Sequence, residues 1–276
     1  MSGRIRCALV LINTLLLSGA AFAAEIRVMA SGAFTAAYLA LIPRCGESVG
    51  DSIVTVTTTM GVGATSIPSR LERGEAVDVV IVDRDALTDM ATRGWIAPAS
   101  RMDLARSAIA MAVRAGAAKP NITTVEALRH TLLSAQSIAY SASVSGDYLS
   151  KELFQRLGVA DQVLPKSRPV VGERVGTVVA RGEAEIGFQQ ISELLPIAGI
   201  DYVGPLPPSL QRVTVFSAGV ASSSRQGERA KAFVACLASR DAAVTVAASG
   251  MEPRYPVAEL RPEFRALTQT GPFLEK

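Results

Sequence analysis

Short apolar runs alternate with helical patterns along most of this chain, and that alternation narrows its fold more than any other feature. Glu25–Ser31 and Ser52–Thr58 read as strands, and Val77–Val82 as a nearly continuous apolar one. Between them Ala33–Arg44 and Ile67–Arg73 read as helices, the second stopped by Gly74. The alternation continues through helix Ala86–Thr92, strand Ser107–Val113, a helix start at Asn121–Thr124 and strand Ser137–Tyr140. Helices Asp147–Leu157 and Glu173–Arg181, strands Glu185–Phe188 and Val213–Val220, and closing helices Gly227–Ala238 and Asp241–Ala248 complete it. The stretch with Pro165 and Pro169 and the run Gly204–Pro208 read as loops. Strands that stay apolar at successive positions are covered on both faces, so the pattern predicts an α/β fold with parallel sheets. It does not separate one sheet from two.

Residues 1–23 follow the plan of a secretory leader. Arg4 and Arg6 precede an apolar run from Cys7 to Phe22, and Ala21-Phe22-Ala23 is a small-x-small cleavage site. The run of ~16 residues is shorter than the ~20 that span a bilayer, so the reading is a mature periplasmic protein starting at Ala24. Two cysteines then remain. In an oxidising compartment Cys45 and Cys236 can form a disulfide, and as free thiols they would suit buried helix faces; the sequence leaves both open. Lys and Arg number 28 against 25 Asp and Glu, which gives no reason to expect a nucleic-acid partner. The single histidine, His130, excludes multi-histidine metal sites and argues against a Ser-His-Asp triad. No Gly-x-Ser-x-Gly elbow occurs, and Glu183 and Glu185 alternate about a strand start. The expectation is therefore a binding protein, not an enzyme, with no cofactor.

Binding residues are sought where strands end and helices begin, because open α/β sheets hold ligands beyond the carboxyl ends of their strands. Four such junctions are rich in glycine and small hydroxyls: Ser31-Gly32, Gly61–Ser66, Ser141–Gly146 and Val171-Gly172-Glu173. Free N–H groups at helix starts suit an anion. Arg174 lies just after the last junction, and its planar fork suits a carboxylate.

The run Val28-Met29-Ala30-Ser31, the segment Arg70–Ile81, the turn Ser145-Gly146-Asp147-Tyr148 and the segment Val179–Gly187 resemble the periplasmic molybdate-binding proteins of ABC importers. The resemblance covers nearly all of the mature chain. It implies a two-lobed type II periplasmic-binding-protein fold, with 24–105 plus 213–276 as lobe one, 106–212 as lobe two and the ligand cleft between them. It also implies a monomer that captures a small anionic ligand by lobe closure and presents it to an inner-membrane ABC permease. Carried over residue by residue, the family's oxyanion site falls on Ser31 and Gly32, on Ser145 beside Ser143, Gly146 and Tyr148, and on Gly172. Two positions depart from the pattern. The family's second serine falls on Ala64, flanked by Gly63, Thr65 and Ser66, and its tyrosine falls on Gln190, next to Gln189. The loss of two neutral donors, together with Arg174, favours an organic carboxylate over a molybdate-like oxyanion. An alternative on the same fold is a periplasmic sensor of a di- or tricarboxylic acid, not coupled to molybdate uptake.

Overall fold

The computed structural model describes residues 25–30, 32–50, 52–56, 58 and 63–256. The expected leader and its cleavage site, together with Ser31, Gly61 and Val62, lie outside them. In chain order the first part comprises β1 (Glu25–Ala30), α1 (Gly32–Val49), β2 (Ser52–Val56), α2 (Ile67–Glu72), β3 (Val79–Asp83), α3 (Arg84–Thr92) and β4 (Met102–Ser107). The middle comprises β5 (Ile109–Arg114), α4 (Val125–Ser134), β6 (Ile138–Ser141), α5 (Val144–Tyr148), α6 (Phe154–Arg156), α7 (Ala160–Val163) and β7 (Ser167–Val170). It continues with α8 (Val175–Ala180), β8 (Ile186–Gln190), α9 (Ile191–Leu194) and β9 (Ile200–Pro205). The chain closes on β10 (Thr214–Val220), α10 (Gly227–Leu237), α11 (Ala243–Ala248) and β11 (Glu252–Pro253).

Two sheets result, ordered β11-β4-β10-β3-β1-β2 and β7-β6-β8-β5-β9. Both are mixed, not parallel as the sequence pattern predicts. In the first, β1 runs parallel to β2 and β3, but β10 runs antiparallel to β3 and β4. In the second, β6 is parallel to β7 and β8, while β5 is antiparallel to β8 and β9. The physical reason lies in how the chain changes sheets. It steps from β4 into β5 through Ala108 alone and comes back just before β10, with no crossover helix to keep a common direction.

β3 shows why the apolar run was legible. Val79 and Ile81 pack with Ile26, Phe34 and Phe233 on one face, whereas Val80 and Val82 pack with Met29, Leu87 and Met90 on the other. Helices cover both faces, and each fully buried side chain of this size stabilises by roughly 1.5–3 kcal/mol. The second sheet carries its own core of Ile109, Met111, Ile138, Leu153, Phe154 and Phe188. The sequence missed β7 and β9 because both are edge strands, where Pro169 and Pro205 are tolerated.

Cys45 on α1 and Cys236 on α10 form a disulfide with their Cα atoms 5.7 Å apart. The loop it closes spans 191 residues and contains the whole second sheet, so in the chain-entropy model it stabilises by about 5 kcal/mol. Chemical denaturation of the Cys45→Ser/Cys236→Ser variant should show a stability loss of that order; a midpoint equal to that of the oxidised protein would contradict it.

Candidate functional site

A cleft of about 440 Å³ opens where the carboxyl ends of the two sheets meet. Gly32 follows β1, Thr58 follows β2, and Asp83 ends β3. The Thr58 hydroxyl donates to the Ala30 carbonyl at 3.0 Å, which ties the β1 and β2 ends together. Opposite them stand Ser141 and Ser143 after β6, Gly172 and Arg174 after β7, Gln189 and Gln190 at the end of β8, and Glu193 on α9. The hydroxyls of Ser141 and Ser143 share a hydrogen bond of 2.8 Å at the start of α5.

Among the described residues that line this cleft are four acids and one arginine, a balance that at first sight repels anions. Two of the acids are offset by cations. Glu173 pairs with Arg181 at 2.8 Å, and Asp147 pairs with Lys151 at 3.0 Å. The other two are pushed towards their neutral form. Burial raises the Asp83 carboxyl, against the hydrogen bond it accepts from the Ala86 N–H as the N-cap of α3. Burial raises Glu193, 8% exposed, to about 7; the Arg174 charge and hydrogen bonding from the Gln189 side chain and the Gln190 backbone pull the other way. Arg174 is the N-cap of α8 and makes no side-chain cap hydrogen bond. A guanidinium carries donors only and could not accept such a bond; its charge acts on Glu193 across the cleft.

Glu193 escaped the sequence reading. It follows Gln190, the N-cap of α9, by three residues, a place where an acid ordinarily caps its own helix. The signal that could have found it is a single acid inside the apolar run Ile191-Ser192-Glu193-Leu194-Leu195, directly after a buried strand. Its neighbours are tightly held. Gln189 Oε1 accepts from the Val175 N–H at 2.8 Å and so fixes the start of α8, where Arg174 stands. The Gln190 amide sits among the Thr214 hydroxyl, the Ser107 hydroxyl and the Ser107 and Ala108 carbonyls; it is satisfied when its nitrogen donates to the Ser107 and Ala108 oxygens and its oxygen accepts from Thr214.

The structure gathers Gly32, Ser143, Gly172, Arg174, Gln189 and Gln190 around the cleft and leaves the other expected residues elsewhere. Ser31 lies outside the described residues. Ser145 is 1% exposed with its hydroxyl turned inward, and neither it nor Gly146 nor Tyr148 is among the described residues that line the cleft. The reason is the helix register: α5 starts at Val144, and Ser145, Gly146 and Tyr148 turn towards the lobe core while Asp147 stays at the cleft. Gly146 packs so closely on β6 that a Cβ there would lie 1.7 Å from the Ser141 carbonyl oxygen. The Tyr148 hydroxyl donates to the Leu210 carbonyl at 2.7 Å. Gly63, Ala64 and Thr65 form an exposed turn, and Ser66 caps α2 by accepting from the Ser69 N–H. These four residues lie at the α2 start and not among the described residues that line the cleft.

Residues 26–252 match the family model described as bacterial extracellular solute-binding protein. An aconitate isomerase from Pseudomonas sp is 42% identical over 227 residues, which cover 82% of this chain and 87% of that relative. The periplasmic molybdate-binding protein of Azotobacter vinelandii superimposes with a TM-score of 0.63 at 17% identity, over 82% of this chain and 98% of that one. A periplasmic binding protein from A. tumefaciens R10 in complex with agropinic acid gives a TM-score of 0.64 at 14% identity, covering 90% of this chain and 89% of that one. At such identities the two structures show the shared fold alone. The expectation that the chain is not an enzyme is overturned by its 42%-identical relative, which is named as one. That expectation weighed serine and histidine chemistry and passed over the buried carboxyl of Glu193.

The raised carboxyl gives a stability test. The folded state holds the Glu193 proton more tightly than the unfolded chain, whose carboxyl titrates near 4.5. Its contribution is therefore fully present below 4.5 and is lost as pH rises to about 7, by a total on the order of 3 kcal/mol. Relative to wild type, Glu193→Gln should gain stability by that order between pH 4 and pH 8 in urea denaturation. A difference that does not change with pH would show that Glu193 titrates normally.

Proposed function

This chain belongs to the bacterial extracellular solute-binding proteins, and on that footing we propose that its cleft binds an unsaturated tricarboxylate of the aconitate type and isomerises it. The observation that supports this most is the pairing in one cleft of a buried carboxyl raised to about 7 with the Arg174 guanidinium, whose charge acts on that carboxyl. Arg174 would take one carboxylate of the ligand bidentately, while the Ser141 and Ser143 hydroxyls and the first N–H groups of α5 take another. Glu193, as carboxylate, would remove a proton from the methylene carbon next to the double bond. The electrons of that C–H bond form a new double bond, and the old double bond moves its electrons onto its far carbon. Return of the proton to that carbon gives an isomer of the same formula with its double bond shifted by one position, which allows cis and trans forms to exchange. The negative charge that develops in between spreads onto the carboxylate oxygens, where Arg174 stabilises it. A carboxyl poised near neutrality can both take up and return the proton.

Export through the leader read in residues 1–23 and closure of the lobes about the two chain passages belong to the same reading. Closure would exclude water from the proton transfer. A second role, delivery of a carboxylate to an inner-membrane ABC permease, is favoured by the solute-binding family match.

Incubation of the mature protein with cis-aconitate, followed by proton NMR, should yield the trans isomer, with kcat/KM rising as pH passes the Glu193 value of about 7. Glu193→Gln should lower kcat by roughly 100-fold or more. Arg174→Ala should weaken binding by about 2 kcal/mol, close to thirtyfold. Absence of turnover of either isomer by wild type would refute the isomerase reading.

A further inference from the structure

Glu193 is carried on the second lobe's chain, yet its carboxyl reaches the first. A Cβ built on Gly32 would lie 2.5 Å from Glu193 Oε1 and 3.5 Å from its Cδ. The carboxyl therefore occupies the space that any side chain at position 32 would need. Gly32 opens α1, an 18-residue helix, and its φ is not among the positive values, so its backbone suits other residues equally well. Nothing about the helix calls for glycine there, since alanine is the better helix former.

We propose that Gly32 is a positioning residue for Glu193: its missing side chain is the seat that lets the carboxyl lie over the start of α1, inside the cleft. The proposal rests on the reading of Glu193 as the acid–base group. In that seat the carboxyl lies against Gly32 at the start of α1, accepts from the Gln189 side chain and the Gln190 N–H, and feels the Arg174 charge. The colliding atom is the far end of a flexible side chain, so a methyl group at position 32 displaces the carboxyl and leaves the backbone in place. Proton transfer between carbon atoms depends on placement to within about 1 Å.

The test is Gly32→Ala in the full mature protein. The expected result is a kcat at least tenfold below wild type, a KM nearly unchanged, a displaced pH profile and a melting temperature no lower than wild type. In a Glu193→Gln background the same substitution should cause no further loss, because the two positions act through one group. A wild-type kcat and pH profile in Gly32→Ala would overturn the proposal. A large fall in melting temperature would also overturn it, since glycine would then serve the backbone. If wild type turns over neither isomer, the isomerase reading fails by itself, and Gly32 is judged by NMR titration of 13C-labelled glutamate carboxyls, with Glu193 assigned by its loss in Glu193→Gln. A moved midpoint in Gly32→Ala supports the seat, and an unmoved one contradicts it.

Discussion

The cleft depends on two short chain passages between the sheets. Ala108 alone separates β4 from β5, and Gln211–Val213 lead the chain back to β10. Side-chain amides lock the passages to one another. Gln211 accepts from the Ile109 N–H at 2.8 Å and donates to its carbonyl at 2.9 Å, and the Gln190 amide reaches Ser107, Ala108 and Thr214. With the passages fixed, the carboxyl ends of both sheets face each other, and the polar turns that follow them have one space to fill. The placement of Glu193 follows from the same constraint, because α9 leaves β8 directly beside the passages.

Electrostatics then decides what that space can hold. Salt bridges to Arg181 and Lys151 offset the outer acids Glu173 and Asp147, and burial raises the inner acids Asp83 and Glu193. The Ser141 and Ser143 hydroxyls and Arg174 line the same space, beside acids that are either paired with cations or raised by burial. On the proposed reading, such a lining suits an elongated carboxylate better than a compact tetrahedral oxyanion. Among the described residues the donors are spread along the cleft from Ser141 to Arg174, with Gln189 buried between them.

The sequence revealed those parts of the fold in which local pattern and tertiary burial agree. Val79–Val82 stays apolar because helices cover both faces of the sheet. β7 and β9 were illegible because edge strands tolerate the prolines that otherwise mark loops. The direction of β5 and β10 was hidden too, since it is set by passage between sheets and not by any residue in them. In the site, Arg174 and Gly172 could be read from their place at a helix start. Ser145 lies off the described cleft lining, where α5 is held by the close approach of Gly146 to Ser141, a contact between elements that no local pattern announces. Glu193 was missed because an acid at the third position of a helix reads as a cap, which it is through the Gln190 N–H, and only the structure shows it also buried against Gly32 with the Arg174 charge nearby.

The central claim is that Glu193 and Arg174 act on one and the same ligand. A crystal structure of the Glu193→Gln variant with trans-aconitate would test it most directly. The account predicts the Arg174 guanidinium in two hydrogen bonds to one carboxylate, with the side-chain end of residue 193 within about 3.5 Å of the methylene carbon. A tricarboxylate bound elsewhere, or held in the cleft with that carbon turned away from residue 193, would contradict it.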